Sequence, residues 1–298
     1  VSSSFATPRP AVIGVLLVLC GSTIFQFGST AAAQLFPYIG PLATAFLRQF
    51  IAAVLLLAIT RPKVWEWNRT QWQWVLLFGL VLAAMNSLFY CAIDRIPLAV
   101  AVTIEFLGPL GLAAGLSRTI KDIFWVILAL AGIGLFGIES WTTSANLDPL
   151  GLGFITLAAC CWALYIVVAG KVGEQVPGTA GLAVALFIAS LCIAPLGAPR
   201  ALPVLFDAHL FLLALLTALM ASLIPFTLEF VALRMIPNAT FSILMSLEPA
   251  IAAGAGWVVL SQPISSYSVV AIGCVILASV GSTWFSRKKA TVVAEGEF

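Results

Sequence analysis

Residues 96–109 read IPLAVAVTIEFLGP and residues 236–249 read IPNATFSILMSLEP. Each is an apolar stretch opened by Ile-Pro, closed by a second proline and carrying one glutamate near its end. The two lie at an ungapped offset of 140 residues, which sets Ile96-Pro97 on Ile236-Pro237, Ala99 on Ala239, Leu107 on Leu247 and Pro109 on Pro249. The same offset sets Pro37 on Pro177 and Cys20 on Cys160. A single register held from Pro37 to Pro109 predicts two homologous halves.

Of the 298 residues, 62% are hydrophobic and 9% charged, and mean hydropathy is +1.11. A soluble domain carries about a quarter charged residues, so this composition excludes one and predicts helices solvated by lipid. The net charge of +2 is too small and scattered for a nucleic-acid partner. A bilayer takes about 20 apolar residues per helix. Cut at charges, prolines and polar clusters, the chain gives ten segments near 11–32, 41–60, 72–92, 97–116, 123–139, 150–170, 179–198, 208–231, 238–258 and 265–285. The first overruns the apolar core of a signal peptide and is expected to stay.

The halves therefore hold five helices each, and five is odd, so the second enters the membrane inverted. The fold expected is all-α and integral to the membrane, with ten transmembrane helices as two inverted repeats. The boundaries are an N-terminal segment 1–10, repeats 11–139 and 150–285 joined by a loop 140–149, and a tail 286–298. Eleven basic residues, Arg9, Arg61, Lys63, Arg69, Arg118, Lys121, Lys171, Arg234, Arg287, Lys288 and Lys289, then share a side with both termini, against Arg95 and Arg200 opposite. The positive-inside rule makes that side cytoplasmic.

Charge inside lipid is costly and by default faces a cavity or a partner. Glu105 and Glu248 fall in the repeat-related fourth and ninth segments, Glu229 in the eighth and Arg48 in the second. Pro109 and Pro249 each remove a donor from the carbonyl four residues back, so both helices are expected to bend or break beside a carboxylate. Under the offset Glu248 meets Gly108, which with the two prolines forms the candidate hinge set. The acids either bind a substrate ammonium, carry a proton or fix helix packing. Arg48 reads more readily as structural than as a carboxylate ligand. Gln26, Asn86, Tyr90, Trp162, Tyr165, Ser242 and Ser246 are further candidates, Asn86 with Tyr90 and Trp162 with Tyr165 sharing helix faces.

The six cysteines all lie in apolar segments, none in a CxxC pair, and read as packing residues. Residues 132–137 satisfy GxGxxG but lie inside an apolar helix with no preceding strand. Gly111 and Gly115 form a GxxxG pair that suits close helix packing. There is no P-loop, HExxH or Ser/His dyad, so neither an enzyme nor an ATP-driven pump is expected, and no metal or cofactor.

Asn86-Ser87-Leu88-Phe89-Tyr90, Glu105-Phe106-Leu107-Gly108-Pro109-Leu110, Ser246-Leu247-Glu248-Pro249-Ala250 and Gly281-Ser282-Thr283 carry a family likeness. Over residues 10–285 the chain resembles the drug/metabolite transporter superfamily in its ten-helix, EamA-type form, and within it the bacterial threonine and homoserine exporters. The resemblance implies a secondary exporter of small amino acids, extending to larger ones, working by alternating access in the bacterial inner membrane. Its partners would be an amino acid, the lipid bilayer and protons, although facilitated diffusion accommodates the same residues. Where many relatives have Gly-Glu, this chain has Ser261-Gln262. The rival readings are a carrier of nucleotide sugars or organic phosphates, disfavoured because Arg48 is the one cation at depth, and a channel.

Overall fold

In lipid a backbone can satisfy its polar groups only internally, and the chain does so with helices. The computed structural model describes residues 8–117, 120–143, 147–232, 235–236 and 244–295, and no strand occurs among them. The elements are α1 (Pro8–Thr60), α2 (Arg69–Ile93), α3 (Leu98–Glu105), α4 (Leu107–Ser117), α5 (Ile120–Thr143), α6 (Pro149–Gln175), α7 (Ala180–Ala201), α8 (Ala208–Ala218), α9 (Ile224–Ala232), α10 (Glu248–Leu260) and α11 (Ser266–Glu295). A π-helical turn, Leu219–Leu223, joins α8 to α9.

Five stretches are long and apolar enough to cross a membrane: Val12–Thr60, Arg69–Ile93, Pro149–Gln175, Ala180–Leu205 and Ala208–Glu229. The chain is a multi-pass membrane protein. Its exterior inverts the usual pattern, with Leu76, Leu80, Leu157, Leu164, Phe211 and Leu212 exposed while Ser22, Gln26, Arg48 and Gln49 are buried.

α1 runs for 53 residues, about 80 Å at the rise of a helix and more than twice the hydrocarbon thickness. It breaks at Gly40, whose φ of 78° is the conformation glycine adopts without strain. Pro41 follows at the first position of the new helix, where its missing N–H costs nothing. The first pass thus continues beyond the expected limit of residue 32 to Ile39, with Pro37 inside it. The expected segment 97–116 is divided between α3 and α4, with Phe106 as the residue between them.

Polar caps fix several helix starts. Asn68 and Gln71 form a capping box on α2. Asp148 accepts from the Leu150 N–H at the start of α6 and pairs with Arg95 at 3.1 Å. These contacts, the Leu150 amide foremost and then Arg95, hold the Asp148 carboxyl below its ordinary range. The Ser261-Gln262 departure also has a local account. Ser261 is in the left-handed region at φ 53°, a position suited to glycine at a helix C-terminus. The Gln262 side chain accepts from the Leu98 N–H at 3.0 Å, satisfying a donor at the start of α3. Ser261→Gly is expected to stabilise the protein by about 1 kcal/mol, read as a higher thermal midpoint in detergent; an unchanged or lower midpoint would refute the strain.

Candidate functional site

α1 and the α8–α9 region form the spine of the site. A β-carbon built on Gly21 would meet Glu229 Cγ and the Pro225 carbonyl at 3.7 Å, while one on Gly28 would lie 2.6 Å from the Ala221 nitrogen. The first half of α1 therefore runs along residues 220–229. Ser22, Gln26 and Ser29, at i, i+4 and i+7, share a face of α1, and all three are buried.

The acids gather at the Ser22 end. Ser22 Oγ donates to Glu248 Oε1 at 3.4 Å, and Glu248 is 5% exposed. Glu248 lies within electrostatic reach of both Glu229 and Glu105, and Tyr165 within reach of Glu229. Glu105 ends α3 beside the Phe106 break, and Pro109 follows in α4. Ser246 and Leu247 form the turn that precedes α10, in which Pro249 occupies the first turn. Both helix interruptions in these segments thus fall beside a carboxylate. Ser242 lies outside the described residues.

The cation lies at the other end. Arg48, 1% exposed, donates from Nη1 to the Ala221 carbonyl at 2.7 Å and from Nη2 to Asn86 Oδ1. Asn86 returns its own Nδ2 to the Leu82 carbonyl, leaving Oδ1 turned to the arginine. The guanidinium stands over the Tyr90 ring, 5.0 Å from its centroid, and Phe36 packs on that ring at 5.6 Å. Proline chemistry supplies the backbone acceptor: Pro225 lacks the N–H that would bond Ala221 four residues back, and the π turn loosens the same register. Such unsatisfied backbone is tolerated at membrane depth only where protein or water covers it.

Between the two ends lie buried polar atoms without a hydrogen-bond partner: both amide atoms of Gln26, Ser29 Oγ, Ser222 Oγ and Arg48 Nε. Most buried polar groups are paired, so a cluster of exceptions calls for a reason. On a further wall, Trp162 meets Phe106 edge-on at 5.6 Å and Tyr165 meets Phe78 at 5.3 Å. Gly108 brings α4 against α6, because a β-carbon there would run into the Ala159 carbonyl oxygen. Of the GxxxG pair, Gly111 has nothing within 4 Å, and the surroundings of Gly115 lie outside the described residues. A separate cleft of about 490 Å³ is lined by Phe36, Tyr38, Ile39, Gly40, Pro199, Arg200 and Pro203, and Phe36 joins it to the Tyr90 wall.

The structure brings Gln26, Asn86, Tyr90, Glu105, Glu229 and Glu248 into this connected region, with Trp162 and Tyr165 at its side. Sequence reasoning did not single out Ser22, Ser29, Ser222 or the Ala221 carbonyl, and it favoured a structural role for Arg48 over that of a carboxylate ligand. The available signal was Pro225: counting back four residues, as for Pro109 and Pro249, marks Ala221 as a free acceptor. Among the described residues no group of His, Cys, Asp or Glu could hold a metal ion.

Comparison with known proteins bears on the whole chain. The model of the EamA-like transporter family matches residues 149–284. The threonine/homoserine exporter RhtA of Escherichia coli K12 is 33% identical over 283 residues, 95% of each chain. The exporter of the same name from Salmonella typhimurium LT2 is 34% identical over 280 residues, 94% of each. A crystal structure 16% identical in sequence covers 95% of this chain and 99% of its own at a TM-score of 0.59, a likeness of fold.

Proposed function

The chain belongs to the EamA-like transporter family, and from that premise we propose that it exports threonine, homoserine and similar amino acids across the bacterial inner membrane. The observation that carries this reading is the end-to-end match to proteins named for that activity, at 33% identity over 95% of both chains. The buried seam supplies what such a substrate needs, acids for an ammonium and hydrogen-bonding groups between them and a cation. Larger amino acids would extend toward the aromatic wall of Trp162 and Tyr165.

The mechanism proposed is alternating access between two inverted five-helix halves, 11–139 and 150–285, with both termini cytoplasmic. Packing supports the exchange of halves: α2 lies on α6 as α8 and α9 lie on α1, while α5 meets α11 and α3 meets α10. The breaks beside Glu105 and Glu248, with Pro109, Pro249 and Gly108 around them, are where the halves would bend. Three carboxylates against one arginine leave negative charge that lipid cannot solvate, and that excess favours a proton as the coupling ion. Neither phosphate nor sugar nucleotide finds more than one buried cation among the described residues.

The test is counterflow in proteoliposomes loaded with single amino acids, with and without an imposed pH difference. Saturable exchange of labelled threonine against threonine and homoserine is expected. No exchange of any amino acid overturns the assignment, and conductance far above carrier turnover would make the protein a channel.

A further inference from the structure

We infer that Arg48 holds the carboxylate of the transported amino acid, an assignment that rests on the reading just proposed and deepens it. A guanidinium stays charged in any protein environment, and Arg48 is the largest fully buried side chain described. A buried charge requires an opposite charge or a full set of hydrogen bonds. Arg48 has neither. Its hydrogen bonds go to neutral acceptors, Ala221 and Asn86, its face lies on the Tyr90 ring at 5.0 Å, and Nε has no hydrogen-bond partner. Among the described residues no carboxylate lies within 4.0 Å of it.

The vicinity is built for an anion. Ser222 follows the residue that accepts from Arg48, and Gly28 brings the turn of α1 holding Gln26 and Ser29 against the same backbone. Ser29 Oγ, Ser222 Oγ and Gln26 Nε2 are buried donors without acceptors. Together with Arg48 Nε they match a carboxylate, which carries one negative charge, accepts several hydrogen bonds and suits the guanidinium fork. Glu105 feels the arginine without reaching ion-pair distance. A zwitterion lying between them would satisfy both, carboxylate to Arg48 and ammonium to Glu105.

The experiment is competition against labelled threonine counterflow by unlabelled threonine and by threoninamide, which keeps the ammonium and lacks the carboxylate. In the unaltered protein threoninamide is expected to compete at least about 10-fold more weakly, because a site built to hydrogen-bond a group rejects an analogue without it. Arg48→Gln is expected to raise the KM for threonine by about 10-fold and to bring the two competitors within about 3-fold of each other. Arg48→Lys keeps the charge without the fork, and should retain the preference for the acid at a higher KM.

Thermal midpoints in detergent report whether each variant folds. Should Arg48→Gln not fold, the lysine variant and the unaltered protein's own discrimination decide the matter. Equal competition by the two compounds in the unaltered protein, or an unchanged KM and ratio in either folded variant, overturns the inference. If the unaltered protein exchanges no amino acid, the proposed function fails and this assignment with it. Exchange with a ratio indifferent to Arg48 sinks this assignment alone.

Discussion

Glu248→Gln is expected to abolish threonine accumulation driven by a pH difference while leaving threonine counterflow within about 3-fold of the unaltered protein. Charge is distributed unevenly along the seam, with the acids at the Ser22 end and Arg48 at the other. Glu248 is the most buried of the three acids, with Ser22 as its hydrogen-bond donor at 3.4 Å, and it lies within reach of Glu105 and Glu229. Carboxylates sharing a low-dielectric site repel one another, and the proposed role of Glu248 is to carry a proton when no substrate ammonium is present. Glutamine keeps the shape and the acceptor for Ser22 but cannot take or release that proton. One pH unit is worth about 1.4 kcal/mol per proton, and one-for-one exchange therefore drives about 10-fold accumulation per unit. In Glu248→Gln the ratio should fall to about 1 if Glu248 is the group that carries the coupling proton; accumulation that survives would move that role to Glu105 or Glu229. Counterflow moves substrate against substrate and needs no net proton. Accumulation that ignores the gradient in the unaltered protein would assign the protein to facilitated diffusion.

The places where sequence reading stopped short share a cause: hydropathy locates a helix in lipid but is blind to its internal register. The prolines at 37 and 41 marked a break, yet both are compatible with helix, and the break falls on Gly40 because it alone takes φ 78° without strain. Glu105 and Glu248 stood out as ions in apolar runs, and their local helix interruptions were legible from the proline four residues on from Glu105 and from Pro249 itself. The π turn at Leu219–Leu223 left no mark in composition, since its residues are as apolar as their neighbours. Arg48 could be found but not interpreted. Whether a buried arginine is a staple or a ligand depends on who fills its fork, and that is a fact of packing between α1, α2 and the π turn. Ser22 and Ser29 were lost among apolar residues for the opposite reason, because a serine in a membrane helix commonly bonds its own backbone.

Gly108→Ala is expected to destabilise the protein by about 3 kcal/mol, at the upper end of the usual cost of overpacking, whereas Gly111→Ala in the same helix should be neutral or stabilising by up to about 1 kcal/mol. Small residues let membrane helices bring their backbones together, and at Gly108 the atom opposite is the Ala159 carbonyl oxygen of α6. A side chain can turn aside, but a carbonyl inside a helix is held by its own hydrogen-bond ladder. The added methyl must therefore move α4 away from α6 as a unit. That movement carries Phe106, two residues earlier, away from its edge contact with Trp162, and shifts the α3–α4 break on which Glu105 sits. Loss of stability should accordingly be accompanied by a fall in threonine exchange of about 10-fold or more, as a displacement of about 1 Å at a site can cost 10²-fold. At Gly111 the same methyl meets nothing within 4 Å, and alanine is the better helix former. Equal thermal midpoints for the two variants would show that the α4–α6 approach yields to a methyl, and would leave Gly108 without a role in holding the broken helix against its neighbour.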